Sequence, residues 1–301
     1  MELGMVGLGR MGGNMAQRLL RTGHHVVGFD PKPEARAELE HEGGGSADSL
    51  QALVAALPAP RALWLMVPAG KITDDTIAAL APLLAPGDVL VDGGNANYKD
   101  TLRRAADLSA HGIDYVDCGT SGGIWGLTEG YSLMIGGNEA VVARLQPLFE
   151  ALAPAADAGW GRVGPVGSGH FTKMVHNGIE YGLMQAYAEG FSILEHKREF
   201  ALDLHQVAQI WRQGSVVRSW LLDLTADALG RNPGMDGIAP WVADSGEGRW
   251  TLQEAIDLDV PAPVIALSLI SRLRSRDNDS YADRLLAAMR NEFGGHAIRK
   301  P

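Results

Sequence analysis

The feature that most constrains the fold is a glycine-rich turn near the start of the chain, set between an apolar strand and a helix. Residues 2–6 are predicted to form a buried strand, which the turn follows directly. A helical pattern then stops at Gly23, and a second predicted strand at 25–29 leads into Asp30. This order of strand, glycines, helix, strand and acid is typical of a dinucleotide-binding βαβ unit, because the glycines permit a tight turn and bring the pyrophosphate to the helix N-terminus. The predicted cofactor residues of this unit are Gly7, Leu8, Gly9, Arg10, Met11, Gly12 and Asp30.

The acid at position 30 also predicts which dinucleotide binds. Its carboxylate would accept hydrogen bonds from the adenosine ribose hydroxyls, and its charge would repel the 2′-phosphate of NADP. Lys32, two residues further on, could soften that repulsion. We therefore predict NAD as the cofactor in preference to NADP, and we predict no metal.

Strands and helices continue to alternate as far as residue 163, which predicts a Rossmann-like, doubly wound and mostly parallel sheet. In such sheets ligands bind beyond the carboxyl ends of the strands. Cofactor and substrate are therefore expected at the residues that end or follow the predicted strands, which are Val67, Pro68, Asn95, Ser121, Gly122 and Gly123. The first two, together with Asn95, are assigned to the cofactor site.

From residue 164 onward the pattern is helical only. It predicts an α/β N-terminal domain over residues 1–163 and an all-α C-terminal domain over residues 164–301. Between its second and third helices, Gly230 to Gly248 is rich in Gly, Pro and Asp, which indicates a long loop that is functional or mobile. The predicted helices cover residues 168–196, 203–229, 250–257, 262–275 and 279–293.

The composition restricts the class of protein. A chain of 301 residues is long enough to bury two cores, and its formal net charge of -10 argues against nucleic acid as a partner. Cys118 is the only cysteine, so a disulfide within the chain is impossible and a reducing compartment is expected. The sequence has neither a signal-type segment nor an apolar run long enough to span a membrane. We therefore predict a cytoplasmic protein with no membrane partner.

The predicted helix at 168–196 carries a polar stripe. Lys173, His176, Asn177, Glu180 and Tyr181 stand at i, i+3, i+4, i+7 and i+8, which is the spacing of one helix face. The stripe is about 12 Å long, comparable to an extended sugar phosphate. A surface stripe would favour repeats of Glu, Lys and Gln over five different polar types, so we interpret these residues as the floor of an active site.

Two residues of the stripe suit general acid–base chemistry. Lys173 could act as a base if burial lowers its pKa, and Glu180 could act as an acid if burial keeps it protonated. The alternative is a structural ion pair between them, but a separation of seven residues does not favour direct pairing. His176, Asn177 and Tyr181 suit the recognition of carboxylate and hydroxyl groups.

The stripe and several other motifs together resemble the 6-phosphogluconate dehydrogenase family. The Lys-His-Asn-Glu-Tyr block distinguishes this family from the related β-hydroxyacid dehydrogenases, which share the glycines and a catalytic lysine. The likeness covers nearly the whole chain. The motifs that carry it, besides the stripe, are the turn 7–12 and the segments 92–101, 121–123, 210–219 and 290–296.

The resemblance implies the oxidative decarboxylation of 6-phosphogluconate to ribulose 5-phosphate, a step of the pentose phosphate pathway. It implies that Lys173 takes the proton of the C3 hydroxyl and that Glu180 later protonates C1 of the enediol. It assigns Tyr181 and Arg218 to the phosphate. The residues that it assigns to the substrate carboxylate and hydroxyls are Asn95, Ser121, Gly122, Gly123, His176 and Asn177.

The resemblance also implies a homo-oligomer, at least a dimer, whose C-terminal tail completes the site of a neighbouring subunit through Arg290 and His296. The chain departs from the longer family members in lacking an additional helical repeat. It also has Ser245 and Glu247 where those members have a lysine and a threonine for the phosphate. At Asp30, NADP-using members carry a polar residue followed by an arginine.

Two other interpretations remain open at this point. A β-hydroxyacid dehydrogenase or reductase acting on a small unphosphorylated acid would release no carbon dioxide and would have no use for Arg218. A protein that binds NAD without turnover is the other alternative, and the presence of both Lys173 and Glu180 argues against it.

Overall fold

The structure is a computed structural model that describes residues 1–299 of the chain. The chain forms two compact units, the first over residues 1–176 and the second from Asn177 onward. The division falls within one long helix, Ser168–His196.

The first unit is built on one sheet of eight strands in the order β3-β2-β1-β4-β5-β6-β7-β8. Neighbouring strands are parallel, except for the antiparallel pair β6 and β7. The predicted doubly wound, mostly parallel sheet is therefore confirmed. The strands are β1 Glu2–Val6, β2 His25–Phe29, β3 Gly45–Ala47, β4 Ala62–Leu65, β5 Val89–Asp92, β6 Asp114–Ser121, β7 Ser132–Gly136 and β8 Trp160–Gly164.

Helices cover both faces of this sheet. Successive residues of a strand point to opposite faces, and in β4 Trp64 belongs to one buried cluster while Leu63 and Leu65 belong to the other. Strands buried on both faces are expected of a parallel sheet whose connections are helical. These helices are α1 Arg10–Arg21, α2 Pro33–His41, α3 Leu50–Ala55, α4 Lys71–Leu80, α5 Tyr98–Ser109, α6 Gly126–Glu129 and α7 Glu139–Leu152.

Strands β3 and β8 lie at the two edges of the sheet, and sequence alternation did not predict them. Strand β3 reads Gly-Ser-Ala, and β8 has two glycines and an arginine among five residues. Such edge strands carry too little apolar periodicity to be recognised from sequence.

After β8 the described chain is helical, which confirms the predicted all-α second part. The predicted helix at 203–229 is wrong in one respect, because it is two helices separated by residues 212–219. Gly214 has a φ of +73° in this connection, and the hydroxyl of Ser219 accepts a hydrogen bond from the N–H of Leu222 to start the second helix. The helices are α8 Ser168–His196, α9 Leu204–Trp211, α10 Trp220–Arg231, α11 Glu247–Asp257, α12 Pro263–Arg274 and α13 Tyr281–Gly294.

The long connection between α10 and α11 covers residues 232–246, which confirms the predicted loop with slightly different limits. Its last part is tied to α12, because Val242 N–H donates to Ser275 Oγ at 3.0 Å and Arg272 donates to the carbonyl of Ala243 at 2.8 Å. Among residues 1–299, no helix combines the length and the apolar character that crossing a membrane requires.

Candidate active site

The glycine-rich turn between β1 and α1 leaves the N-terminus of the helix open. Gly7 has a φ of +93°, and a Cβ at this position would lie 2.5 Å from the carbonyl oxygen of Met66. A Cβ at Gly12 would lie 2.0 Å from the carbonyl oxygen of Gly7, so both positions require glycine. Gly9 has nothing within 4 Å of such an atom, and no side chain caps the helix there. The turn therefore fits the phosphates of a dinucleotide, which bind at an uncapped helix N-terminus.

Asp30, directly after β2, is hydrogen-bonded to this turn. Its Oδ2 accepts a hydrogen bond from the N–H of Leu8 at 2.9 Å, and its Oδ1 accepts one from the N–H of Lys32 at 2.9 Å. Arg36 donates to the backbone carbonyl of Asp30 at 2.7 Å. A carboxylate oxygen can accept more than one hydrogen bond, so Asp30 can hold the turn and still meet a ribose hydroxyl.

The loop after β5 presents a buried acceptor. Among the described residues, the side-chain oxygen of Asn95 is buried and has no hydrogen-bond partner. Hydrogen bonds to the Asp92 carboxylate hold the start of this loop. Asp92 accepts one from Gly94 N–H at 3.1 Å and one from the hydroxyl of Tyr115 at 2.7 Å. A buried polar atom without a partner in a well-held loop is a candidate for a ligand contact.

The loop after β4 holds Val67 half-buried and Pro68 exposed. The hydroxyl of Thr73 donates to the carbonyl of Pro68 at 2.9 Å. This bond ties the loop to the first turn of α4, so both residues are held at the carboxyl end of the sheet.

At the end of β6 the structure brings together Ser121, Lys173 and His176. Lys173 is 4% exposed, and its Nζ lies 3.3 Å from Nδ1 of His176. The hydroxyl of Ser121 lies 3.5 Å from Nε2 of the same histidine. The turn continues through Gly122 and Gly123, with φ values of +134° and +53° that favour glycine. These residues form one polar cluster within the first unit.

In the second unit, Tyr181 is the centre of another polar cluster. Tyr181 is buried, and its hydroxyl accepts a hydrogen bond from the N–H of Ser245 at 3.3 Å. The guanidinium of Arg272 lies 3.5 Å from the centre of the Tyr181 ring. Arg272 was not predicted from the sequence, although its i, i+4 spacing with Arg276, just beyond the end of α12, is a signal that could have indicated it. Asn177 and Glu180, on the same helix as the tyrosine, are half-buried.

The carboxylate of Glu247, in the segment next to this cluster, has a hydrogen-bond donor. The hydroxyl of Ser245 donates to its carboxylate, and the glutamate is 8% exposed. Burial alone would raise the pKa of Asp244, but the hydrogen bonds from Arg249 and Gly246 N–H, with the charges of both Arg249 and Arg276, hold that pKa below its usual value. Residues 244–246, directly before α11, are therefore fixed by hydrogen bonds to the first residues of that helix.

Three predicted substrate residues lie elsewhere in the second unit. Arg218 is exposed and lines an apolar cleft of about 520 Å³ with Tyr187 and other residues. Arg290, near the end of α13, and His296, beyond it, are both exposed. Of the described residues, Arg272 contacts the Tyr181 ring, and the assignment of Arg218 to the phosphate stays a prediction.

The chain matches two family models along most of its length. Residues 2–161 match the NAD binding domain of 6-phosphogluconate dehydrogenase. Residues 169–291 match the C-terminal domain of 6-phosphogluconate dehydrogenase. The first unit therefore contains an NAD-binding domain, as the glycine-rich turn predicted.

Individual relatives agree with the family models. The NAD(+)-dependent, decarboxylating 6-phosphogluconate dehydrogenase of Haloferax volcanii is 46% identical over 302 residues, which cover 100% of this chain and 99% of that protein. The solved Plasmodium falciparum 6-phosphogluconate dehydrogenase, studied alone, with NADP+ and with 6-phosphogluconate, superimposes with a TM-score of 0.85 at 27% identity. The match covers 100% of this chain and 66% of that one.

A more distant structure shares the fold alone. Mycobacterium tuberculosis 3-hydroxyisobutyrate dehydrogenase superimposes with a TM-score of 0.73 at 22% identity, over 92% of this chain and 94% of that one. The family models and the Haloferax relative are much more specific than this shared fold. The chain belongs to the 6-phosphogluconate dehydrogenase family.

Proposed function

We propose that the chain catalyses the oxidative decarboxylation of 6-phospho-D-gluconate to D-ribulose 5-phosphate and carbon dioxide, with NAD as the hydride acceptor. The observation that carries this proposal is the buried cluster of Lys173, His176 and Ser121 in a chain of this family. A buried amine with a basic neighbour is suited to act as a neutral general base.

The proposed reaction begins with Lys173, which takes the proton of the C3 hydroxyl. Bound NAD supplies the acceptor for the hydride that leaves C3. The bond between C1 and C2 of the 3-keto acid then breaks, carbon dioxide departs, and the electron pair stays on the sugar while protonated Lys173 returns its proton to the C3 oxygen, which gives the enediol. Glu180, two helical turns beyond Lys173 on α8, then protonates the new C1 to give the ketose. Lys173 takes up the hydroxyl proton that the enediol loses in this step, and return of that proton to Glu180 resets both groups.

The proposed substrate contacts follow the two clusters. Asn95, with its buried unpartnered oxygen, and Ser121 would meet the carboxylate and hydroxyl groups. His176 and Asn177, together with the turn at Gly122 and Gly123, complete that set. For the phosphate we propose Tyr181 together with Arg272, because a guanidinium can bind phosphate through two parallel hydrogen bonds.

We also propose NAD in preference to NADP. The support is Asp30, whose carboxylate stands at the end of β2 where the adenosine ribose is expected. The boundary between the two domains at residue 163 and the cytoplasmic location stay predictions from the sequence.

We propose a homo-oligomer whose tail completes a neighbour's site. In the single chain, α13 exposes several apolar side chains, and helix faces of this kind are usually covered by a partner. They are Tyr281, Leu285, Leu286 and Met289. Mixing inactive Lys173→Met subunits with inactive Arg290→Ala subunits should restore some activity, since a mixed dimer can assemble one intact site. No recovery after demonstrated subunit exchange would refute shared sites.

One observation favours a second candidate, a β-hydroxyacid dehydrogenase acting on a small unphosphorylated acid. That observation is the buried acid Glu247 beside the Tyr181 cluster, where phosphate would meet repulsion. The two proposals differ in substrate and product, because only the first releases carbon dioxide from a sugar phosphate.

The test is a comparison of substrates with the purified protein. The protein is incubated with NAD and either 6-phosphogluconate, gluconate or a small β-hydroxyacid, and reduced cofactor and carbon dioxide are followed together. We expect both products from 6-phosphogluconate alone, and no turnover in Lys173→Met. Reduction of NAD with the small acid and none with 6-phosphogluconate would establish the second candidate instead.

A further inference from the structure

The strand β6 and the start of helix α8 face each other residue by residue. Asp117, Gly119 and Ser121 alternate along β6 and therefore share one face of the strand. Opposite them, in the first unit, stand His170, Lys173 and His176, which are three residues apart and share one face of the helix. This arrangement gives three successive contacts between strand and helix.

The first contact is a buried carboxylate that caps the helix. Asp117 is 0% exposed, and its Oδ1 accepts the N–H of Gly167 at 2.7 Å while its Oδ2 accepts the N–H of His170 at 2.8 Å. The first N–H groups of a helix have no partner within the helix, and a negative charge there is stabilising. Asp117 thus supplies the cap for α8 from the neighbouring strand.

The second contact leaves no space between the backbones. A Cβ at Gly119 would lie 2.5 Å from Cβ of Lys173, and one at Gly169 would lie 2.6 Å from the carbonyl oxygen of Asp117. Ordinary contacts begin at 3.4 Å, so a methyl group at Gly119 would push the lysine away by about an ångström. The third contact is that of Ser121 with His176, inside the proposed substrate site.

Helix α5 holds the same turn of α8 from a second side. The hydroxyl of Thr101 lies 2.7 Å from Nδ1 of His170, which is 1% exposed. The rings of Tyr98 and Phe171 meet edge to face with their centres 5.2 Å apart. Hydrogen bonds and ring packing therefore fix the first turn of α8, and the carboxylate of Asp117 caps its N-terminus.

We propose that Asp117 is a positioning residue for catalysis, which sets the place of Lys173 by capping α8 and holding it against Gly119. This inference rests on the proposed role of Lys173 as the base. Asp117 touches no substrate atom in this account. Asp117 acts by fixing helix α8, which carries Lys173. General base catalysis requires that the base be held precisely in place.

The test uses two variants with matched controls. Asp117→Asn replaces one acceptor oxygen by an amide that faces an N–H, and Gly119→Ala displaces the lysine without altering a charge. Asp88→Asn is the control for the first, because Asp88 is equally buried and accepts the N–H of Arg61 at 2.6 Å ahead of β4. Gly161→Ala in β8 is the control for the second, since a Cβ there has nothing within 4 Å.

We expect kcat for 6-phosphogluconate to fall by about 10²-fold in Gly119→Ala, the usual cost of misplacing a reacting group by an ångström, and by at least about 10-fold in Asp117→Asn. The Kd of NAD should not change in either, and both controls should keep the kcat of the unaltered protein. Hydrogen exchange followed by mass spectrometry should show faster exchange over residues 166–176 in Asp117→Asn and not in Asp88→Asn.

Unchanged kcat in Gly119→Ala, or unchanged exchange in folded Asp117→Asn, would overturn the inference, as would an equal loss of kcat in Asp88→Asn. If Asp117→Asn does not fold, Gly119→Ala still tests the placement of Lys173 against β6. A fall in kcat supports this placement, and an unchanged kcat overturns it. Failure of the proposed function is seen separately, because the unaltered protein would then not turn over 6-phosphogluconate while the exchange measurement would still report on the cap.

Discussion

Replacing Arg272 by methionine should weaken the enzyme for the phosphorylated substrate specifically. The guanidinium lies 3.5 Å from the centre of the Tyr181 ring and donates to the carbonyl of Ala243 at 2.8 Å. A guanidinium has five N–H donors, so these contacts leave donors for a phosphate. Hydrogen bonds to charged groups contribute about 1.5–3 kcal/mol, which corresponds to a fall in kcat/KM of roughly 10- to 100-fold.

The assay measures kcat and KM for 6-phosphogluconate, with the Kd of NAD as an independent reference. We expect KM to rise and the Kd of NAD to stay constant, because the cofactor residues are in the first unit. Arg274→Met is the matched control, since Arg274 is exposed on the same helix and pairs with Asp283 at 2.6 Å. An unchanged KM in folded Arg272→Met, or an equal rise in Arg274→Met, would refute the assignment of the phosphate to Arg272.

Three further predictions concern the acid, the cofactor and the pH dependence of stability. Glu180→Gln should slow the ketonisation of the enediol more than it weakens substrate binding, which rapid-quench analysis of the products would detect; a rise in KM alone would make Glu180 a binding residue. Asp30→Asn should narrow the ratio of kcat/KM for NAD over NADP, and equal use of both cofactors by the unaltered protein would contradict the role of Asp30. Because the pKa of Asp244 in the folded chain is below its ordinary value of 3.8, its charged form stabilises the fold above that pH, and this contribution should be lost as the pH falls through 3.8 toward the folded pKa. Asp244→Asn should therefore lower the Tm at neutral pH and show a smaller further loss in acid, and parallel acid profiles of the two proteins would contradict this.

Local sequence patterns predicted those parts of the fold that local physics determines. The turn from Gly7 to Gly12 must be made of glycines because of contacts with the neighbouring backbone, and this requirement is visible in the sequence itself. The helical period likewise indicated Ser168–His196 with its limits. By contrast, the predicted single helix at 203–229 was wrong, because Gly214 takes a φ of +73° in the connection at 212–219 and Ser219 caps a second helix there.

The phosphate-binding candidates could not be predicted in the same way. Arg218 stands in a motif that resembles the family, but in the structure it lines an apolar cleft. Arg272 has no motif of its own, and only the packing of α12 against Tyr181 places the two together. Residues distant in sequence meet through tertiary packing, which neither periodicity nor spacing encodes. The hydrogen bond between Ser245 and Glu247 is a similar case, since sequence alone left the direction of the glutamate open.

In the proposed reaction, oxidation at C3 is followed by loss of C1 as carbon dioxide. The most direct measurement is the stoichiometry of a reaction with 6-phosphogluconate labelled at C1, in which labelled carbon dioxide and reduced NAD are counted together. We predict one labelled carbon dioxide for each NAD reduced, and neither product from Lys173→Met. Reduced NAD without labelled carbon dioxide would contradict the claim and would indicate a dehydrogenase that does not decarboxylate.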